Sequence, residues 1–218
     1  MDSDYIHNYE AVIEAVNKFK EIKSKDIRLV VVTKNQDYEK IVQLEKCGQK
    51  DFGENYIDEA EKKIAKINNK NITWHYIGII QSNKIRKMCK IFQWVHTVSS
   101  EKHASKINQI CEELDKKINI CIQINIDREK TKGGIIMDEF GDFSSLILKF
   151  KHLNLRGIMA IPAADKSCEN SFFRMKELFN KYSFLDTLSM GMSKDYIQAI
   201  ENDANLLRIG QQIFGARE

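Results

Sequence analysis

Apolar and polar positions follow two alternating periods along this chain, and the pattern predicts a regular succession of helices and strands. From Ile6 to Ile22 apolar residues recur at the three- and four-residue steps of an amphipathic helix. Ser24 and Asp26 then favour a turn. The next segment, RLVVVT at 28–33, is β-branched and lacks polar alternation, as expected of a strand that is buried on both faces.

The rest of the chain repeats this order, with a helix predicted between each strand and the next. The predicted strands are 28–33, 51–53, 73–77, 94–98, 119–126, 155–161, 187–189 and 205–209. The predicted helices between them are 37–46, 56–67, 83–92, 101–116, 138–150, 170–184 and 195–202. Strict alternation implies parallel strands with covered faces. Eight such strands in 218 residues predict an α/β fold, a compact (β/α)8 TIM barrel with the first helix as an extra cap at one end.

The rival architecture is a doubly wound open sheet. Such a sheet normally has a glycine-rich turn after its first strand, and this chain has TKNQD there. Pro162 is the only proline, and no internal repeat or low-complexity block interrupts the pattern. We therefore predict a single domain over residues 1–218.

Composition and charge narrow the class of protein. Hydrophobic residues make up 43% and charged residues 30%, which is an ordinary globular mix. Lys and Arg number 34 against 31 Asp and Glu, and the two signs are interleaved, which argues against a nucleic-acid or membrane partner. The acidic, polar start MDSDYIHNYE does not resemble a signal peptide, and no apolar run approaches the ~20 residues of a membrane span. We expect a cytoplasmic protein.

The five cysteines form no CxxC pair and no ligand cluster. Their apolar surroundings predict buried, reduced thiols. The chain also lacks HExxH and acidic calcium-loop motifs, so we predict no metal site.

In parallel barrels the active site gathers at the C-terminal ends of the strands. Lys34 directly follows the first strand, where an amine beside low-dielectric walls can lose its proton and form an imine with a carbonyl. Asn55, after the second strand, is interpreted first as a helix cap and second as a site residue. His75, His96 and His103 are interpreted as hydrogen-bonded structural residues.

The last two strand ends carry a stronger signal, since barrels often bind phosphate there. Ser189 to Ser193 reads SMGMS, and Arg208 to Gly215 reads RIGQQIFG. Their glycines let backbone N–H groups approach an anion, and Ser193 adds a hydroxyl. The basic stretch Lys84, Arg86, Lys87 and Lys90 is interpreted as a solvated outer face. From the residues alone, aldolase-like enzymes and pyridoxal phosphate proteins both stay open.

An ordered series of segments carries a family resemblance from about Leu29 to Arg217. The segments are VVVTK, DFGENY, WHYIGIIQSNK, VHTVSS, INIDREKTKGGI, RGIMAIP, LSMGMS and RIGQQIFGAR. In order and spacing they resemble the pyridoxal phosphate homeostasis proteins.

The resemblance implies a barrel similar to the N-terminal domain of alanine racemase, with pyridoxal 5'-phosphate as cofactor at its mouth. It implies that Lys34 forms the Schiff base, that Ser193, Gly210 and Gln211 hold the phosphate, and that Arg208 lies near the pyridine nitrogen. Asn55, Met159 and Ser189 fall in segments that line the pocket. Gln211 stands where Thr or Ser is common, and Ile79-Ile80 replaces the more usual Pro-Leu.

The function implied is intracellular vitamin B6 homeostasis by a monomer without robust catalysis, with enzymes that need the cofactor as partners. The alternative is an amino-acid racemase using the same cofactor. In alanine racemase the second catalytic base comes from a separate C-terminal domain, whereas this sequence stops just past the eighth strand. We therefore expect little or no racemase activity.

Overall fold

The computed structural model describes residues 4–23, 26–129, 132–163 and 168–215. Within these ranges the chain forms eight strands. They are β1 (Arg28–Val32), β2 (Asp51–Glu54), β3 (Thr73–Tyr76), β4 (Trp94–Val98), β5 (Ile118–Ile124), β6 (Leu153–Ala160), β7 (Thr187–Ser189) and β8 (Leu206–Ile209). Each strand pairs in parallel with the next, and β8 pairs in parallel with β1, which closes the barrel. The predicted (β/α)8 barrel is confirmed.

The helices surround this barrel. They are α1 (Asp4–Lys23), α2 (Tyr38–Lys46), α3 (Ile57–Ile67), α4 (Ile85–Ile91), α5 (Glu101–Glu113), α6 (Phe140–Ile147), α7 (Cys168–Asn180), α8 (Tyr196–Glu201) and α9 (Gln211–Phe214). Among the described helices, none combines the length and apolar content that crossing a bilayer requires.

Several element ends differ from the predictions for local reasons. The strand predicted at 119–126 ends at Ile124, because the Asn125 side chain hydrogen-bonds both the N–H and the carbonyl of Glu129. An Asn that bonds the backbone ahead of it favours a turn over a strand. The helices predicted at 83–92 and 138–150 begin two residues later than predicted, because each is preceded by a 3-10 turn, Ser82–Lys84 and Met137–Glu139.

Helix α1 packs beside α9 and α2 in the outer layer. Asn8 Nδ2 donates to the carbonyl of Ile213 in α9 at 3.1 Å, and the Tyr5 hydroxyl donates to Gln43 in α2. Its buried face, which includes Tyr9, joins the main core. Helix α9 has only four residues, and α1 packs against it, so the predicted extra helix lies in the outer layer of helices.

Buried side chains fall into an outer and an inner group. The outer group lies between strands and helices and contains most of the apolar core, such as Val31 and Phe52. A smaller cluster of Trp94, Cys121 and Met159 is separate from it. This cluster lines the inside of the barrel, where polar side chains from strands that are not neighbours also meet.

The cysteine prediction is only partly right. All five cysteines lie in the described ranges, and none forms a disulfide. Cys89, Cys111 and Cys121 are buried as predicted, but Cys168 is half-buried and Cys47 is exposed. Cys47 immediately follows the last residue of α2, where the helix end leaves it in solvent.

Candidate functional site at the barrel mouth

Lys34 lies in a turn just past β1, at the C-terminal mouth of the barrel. Its side chain is half-buried. Before it, Thr33 extends the pairing of the strands through a hydrogen bond from its N–H to the Gly53 carbonyl at 2.9 Å. After it, Asn35 adopts a left-handed backbone with φ of 60°, a conformation in which Asn is enriched. The chain therefore turns sharply at the lysine.

A charged cluster holds the residues on either side of this lysine. Lys63 Nζ donates to the Thr33 carbonyl at 2.7 Å, to Glu54 Oε1 at 2.7 Å and to Glu59 Oε1 at 2.6 Å. The Thr33 hydroxyl donates to Glu54 at 2.7 Å, and the N–H of Asn35 donates to Glu59 at 2.6 Å. We call Glu54, Glu59 and Lys63 the clamp. Sequence analysis missed it, although the Glu59–Lys63 spacing is that of an ion pair on one helix face.

Glu54 is the most deeply buried member of the clamp. Its side chain is 0% exposed, and Oε2 has no hydrogen-bond partner among the described residues. Burial raises the pKa of Glu54 above its ordinary value, against the opposing charge and hydrogen bond of Lys63. The carboxylate therefore depends on Lys63 to stay ionised inside the protein.

Asn55 lies on the β2 side of Lys34 and does not cap α3. The capping interpretation is wrong, because the N-cap position belongs to Tyr56. Asn55 Oδ1 is buried and has no hydrogen-bond partner among the described residues. A buried amide oxygen without a partner is costly, so Asn55 fits the other interpretation, a residue that faces a site.

Arg208, near the end of β8, is a buried cation. It is 4% exposed, and its Nη1 and Nη2 donate to Ser189 Oγ at 2.6 Å and to the Ala160 carbonyl at 3.0 Å. Burial lowers the pKa of Arg208 to about 10, so the guanidinium stays charged at neutral pH. Met159, which is fully buried, pairs with Ser189 in the β6–β7 register. The structure thus brings Arg208, Ser189 and Met159 together.

Two buried histidines continue inward from Ser189. His96 Nδ1 lies 3.0 Å from Ser189 Oγ, and His96 Nε2 lies 2.9 Å from His75 Nδ1. Both rings are 0% exposed. The interpretation of these two as hydrogen-bonded structural residues is confirmed, but their pairing was missed. His96 on β4 and Ser189 on β7 belong to strands that are not neighbours, so their contact crosses the barrel interior.

The loops after β7 and β8 meet through Ser193. Its Oγ accepts a hydrogen bond from the N–H of Gln212 at 3.0 Å, which ties the SMGMS loop to the start of α9. The hydroxyl still has its own proton to donate. Gln211 is exposed at the first position of α9. The two loops that were predicted to hold a phosphate are therefore joined.

Two of the three glycines in these loops, Gly191 and Gly210, are required for different physical reasons. Gly191 has φ of 92°, in the left-handed region, and a Cβ there would lie 2.7 Å from the Ala199 Cβ. Gly210 has φ of −132°, which any residue can adopt. A Cβ on Gly210 would instead lie 2.9 Å from the Val32 carbonyl oxygen. Gly210 is needed for the close approach of β8 to β1.

The basic stretch begins in the 3-10 turn at Lys84 and continues along α4, and it lies on the outer surface, as predicted. Its charges pair with carboxylates of neighbouring helices, because Lys84 and Lys87 both contact Asp58, at 2.6 and 3.0 Å. Arg86 pairs with Glu113. In the ranges that the structure covers, no three His, Cys, Asp or Glu side chains are grouped as metal ligands.

Comparisons with known proteins agree with this architecture. Residues 7–218 match the family model described as alanine racemase, N-terminal domain. The alanine racemase of Clostridium difficile 630 superposes with a TM-score of 0.77 at 18% identity, over 99% of this chain and 57% of that one. At that identity the likeness shows the fold alone.

Closer relatives share most of their length with this chain. The pyridoxal phosphate homeostasis protein of Pasteurella multocida (strain Pm70) is 39% identical over 203 residues, which is 88% of this chain and 87% of that protein. The structure of PipY from Synechococcus elongatus PCC7942, with PLP bound, has a TM-score of 0.81 at 27% identity, over 92% of this chain and 99% of that one. This chain therefore belongs to the family of pyridoxal phosphate homeostasis proteins.

Proposed function

We propose that residues 1–218 form one domain that binds pyridoxal 5'-phosphate as a Schiff base on Lys34 and holds it for cofactor homeostasis without robust catalysis. The observation that carries the proposal is the position of Lys34, half-buried at the barrel mouth between Asn55 on the β2 side and Gly210 on the β8 side. Family membership and the PLP-bound relative support the choice of cofactor.

The residues at the mouth fit this group. Arg208 is a buried cation, and the hydroxyl and carbonyl that hold it within the described residues are both neutral. A guanidinium has five N–H donors, so Arg208 can donate to the lone pair of a pyridine nitrogen in addition to these two acceptors. Asn55 adds a buried oxygen without a partner. Ser193 and the joined loops offer hydroxyl and backbone N–H donors of the kind that phosphate needs.

Each residue then has a distinct role in the proposal. Lys34 supplies the amine, and the clamp positions its turn. Ser193, Gly210 and Gln211 bind the phosphate, and Arg208 faces the ring nitrogen. Asn55, Met159 and Ser189 line the pocket.

The same residues explain a holding role. Bound pyridoxal phosphate supplies an aldehyde that condenses with amines and a ring that withdraws electrons best when its nitrogen is protonated. Arg208 does not give up its proton under physiological conditions, and its positive charge opposes protonation of a neighbouring nitrogen. The chain therefore binds the cofactor while weakening its catalytic power.

The proposal also covers the setting in which the protein acts. It is a cytoplasmic monomer, and enzymes that need the cofactor are its acceptors. Cysteines without disulfides agree with a reducing compartment.

Isotope exchange with alanine tests the holding function. The loaded protein in D2O is expected to exchange the α-proton of D- or L-alanine no faster than an equal concentration of free pyridoxal phosphate. It is also expected to restore activity to an enzyme that has been stripped of the cofactor. Rapid exchange with inversion, measured by NMR, would refute the holding role and favour a racemase.

Replacement of Ser193 by alanine tests the phosphate site. Loss of one charge-assisted hydrogen bond costs ~1.5–3 kcal/mol, so the affinity for pyridoxal phosphate should fall roughly ten- to more than a hundredfold. Affinity for pyridoxal, which has no phosphate, should change little. Titration of both ligands, followed by absorbance, measures the ratio.

Ser193→Thr is the matched control, because it keeps the hydroxyl and should keep most of the preference for the phosphorylated ligand. Gly210 is a poor test position, since any side chain would collide with the Val32 carbonyl and disturb the barrel itself. Equal losses for both ligands in Ser193→Ala would show that these loops do not hold the phosphate.

A further inference from the structure

A continuous line of polar groups runs through the barrel interior, and all of them are buried except Asp51 at one end, which is half-buried. Arg208 Nη1 lies 2.6 Å from Ser189 Oγ, which lies 3.0 Å from His96 Nδ1. His96 Nε2 lies 2.9 Å from His75 Nδ1, and His75 Nε2 lies 2.8 Å from Asp51 Oδ1. The line joins the strands β8, β7, β4, β3 and β2. It connects the mouth of the barrel to the opposite end, where Asp51 begins β2.

The Asp51 end of the line can only accept hydrogen bonds. Arg28 donates to both carboxylate oxygens of Asp51. Burial acts to raise the pKa of Asp51, but the hydrogen bonds from His75 and Arg28, together with the charge of Arg28, outweigh it and hold that pKa below its usual range. An ionised carboxylate has no proton to donate. His75 must therefore carry its proton on Nε2 and present a lone pair at Nδ1.

The Arg208 end of the line can only donate, because a guanidinium has five N–H donors and no acceptor. Ser189 Oγ therefore accepts from Arg208 and directs its own proton to His96 Nδ1. His96 must then donate from Nε2 to His75. Burial lowers the pKa of His75 and lowers that of His96 even further, so both rings are neutral, as this order requires. All the hydrogen bonds in the line therefore point the same way, from Arg208 at one end to Asp51 at the other.

We propose that His96 and His75 are positioning residues. His96 accepts the hydrogen bond of the Ser189 hydroxyl and His75 accepts that of His96, so Ser189 Oγ is left to accept from Arg208, which is held as the hydrogen donor at the ring-nitrogen end of the cofactor pocket. The proposal rests on the proposed cofactor binding for its functional meaning. The direction of the hydrogen bonds from Ser189 to Asp51, however, is expected in the cofactor-free protein as well. With its proton committed to His96, Ser189 cannot donate to the cofactor ring.

Nitrogen NMR of the cofactor-free protein, labelled with ¹⁵N-histidine, tests the direction. His75 and His96 are both expected to be neutral and protonated at Nε2 throughout the neutral pH range. A ring protonated at Nδ1, or a positively charged ring, would overturn the proposal. Ser189→Ala should shift the His96 Nδ1 resonance towards that of an unbonded lone pair. Ser82→Ala is the matched control, because Ser82 Oγ lies 3.1 Å from the ring of His103 on the exterior.

His96→Phe tests the positioning role in the loaded protein, because it keeps a ring but removes both hydrogen bonds. Affinity for pyridoxal phosphate should fall about tenfold, the value of a typical hydrogen bond. The absorption band of the bound cofactor should also move, since the Ser189 proton is then available to the ring nitrogen. Cys121→Ala, a neighbouring interior change, should move neither quantity.

The NMR experiment and the His96→Phe experiment distinguish failure of the proposed cofactor binding from failure of the positioning role. If the protein binds no pyridoxal phosphate at all, the proposed function fails, and the histidine NMR still decides the direction of the line. If it binds the cofactor and His96→Phe leaves both affinity and absorption unchanged, the positioning role fails alone.

Discussion

Replacing Lys34 by alanine is expected to abolish covalent attachment of pyridoxal phosphate. Borohydride reduction of the loaded native protein should fix the cofactor to the peptide that contains Lys34, because this amine follows β1 at the barrel mouth. In Lys34→Ala the visible absorbance of the Schiff base and the covalent label should both be lost. Weaker, non-covalent binding should remain, since the variant keeps Ser193 and Arg208. Peptide mapping by mass spectrometry and absorbance titration measure the two effects.

Lys46→Ala is the matched control for this experiment. Lys46 is an exposed lysine in the last turn of α2, in the same strand–helix unit as Lys34. Its replacement should leave both the label and the spectrum unchanged. Recovery of the label on Lys84, or a normal spectrum in Lys34→Ala, would show that the Schiff base has been assigned to the wrong lysine.

Replacing Lys63 by methionine is expected to destabilise the fold by about 3–5 kcal/mol. The side chains of Lys63 and Glu54 are 8% and 0% exposed, so removal of the ammonium group leaves the Glu54 carboxylate buried and uncompensated. The Thr33 carbonyl loses a partner as well. Denaturant unfolding at neutral pH, followed by circular dichroism, measures the change in the free energy of unfolding.

The loss in Lys63→Met should depend on pH. Burial already raises the pKa of Glu54 in the folded protein, and without Lys63 that pKa should rise further. A carboxyl group whose pKa is higher in the folded than in the unfolded state favours folding at acid pH. That contribution is lost as pH rises through the folded pKa. The destabilisation should therefore be smallest near the ordinary carboxyl pKa of about 4.3 and grow towards neutral pH.

Two further variants control for this result. Adding Glu54→Gln to Lys63→Met should recover part of the stability and remove most of the pH dependence, because the buried charge is gone. Lys87→Met removes a lysine that also contacts two carboxylates, but its side chain is 38% exposed. Such a surface pair is worth roughly 0–1 kcal/mol. A loss in Lys63→Met as small as that would contradict the role of the clamp.

The outline of the fold was predictable from sequence because it depends on local periodicity. Parallel strands that are covered on both faces need strongly apolar, β-branched segments. RLVVVT at 28–33 contains the continuous run LVVV, and NICIQINI at 119–126 has isoleucine at every second position. Amphipathic helices need the three- and four-residue steps found between those runs. Lys34 was identified for the same reason, since a residue that ends a barrel strand lies at the mouth whatever the rest of the chain does.

The exact ends of elements and the role of Asn55 depended on competing local bonds. Asn125 ends β5 through hydrogen bonds to Glu129, which no apolar pattern records. Asn55 has the residue type of a helix cap, yet α3 begins one position too late for it to act as one. A shift of one residue in the start of α3 decides whether Asn55 caps the helix or faces the site. Helix propensity does not specify the first residue of a helix that finely.

By itself, the sequence determined the alternation of strands and helices, the position of Lys34 and the two glycine-containing loops, because each follows from neighbours along the chain. Only the tertiary structure decided which polar side chains meet. His96 and Ser189 are 93 residues apart, and their 3.0 Å contact exists because the closed barrel places β4 opposite β7. The clamp likewise needs the close packing of β1, β2 and α3 before Lys63 reaches Thr33. Closure and register set these distances, and both are properties of the whole chain.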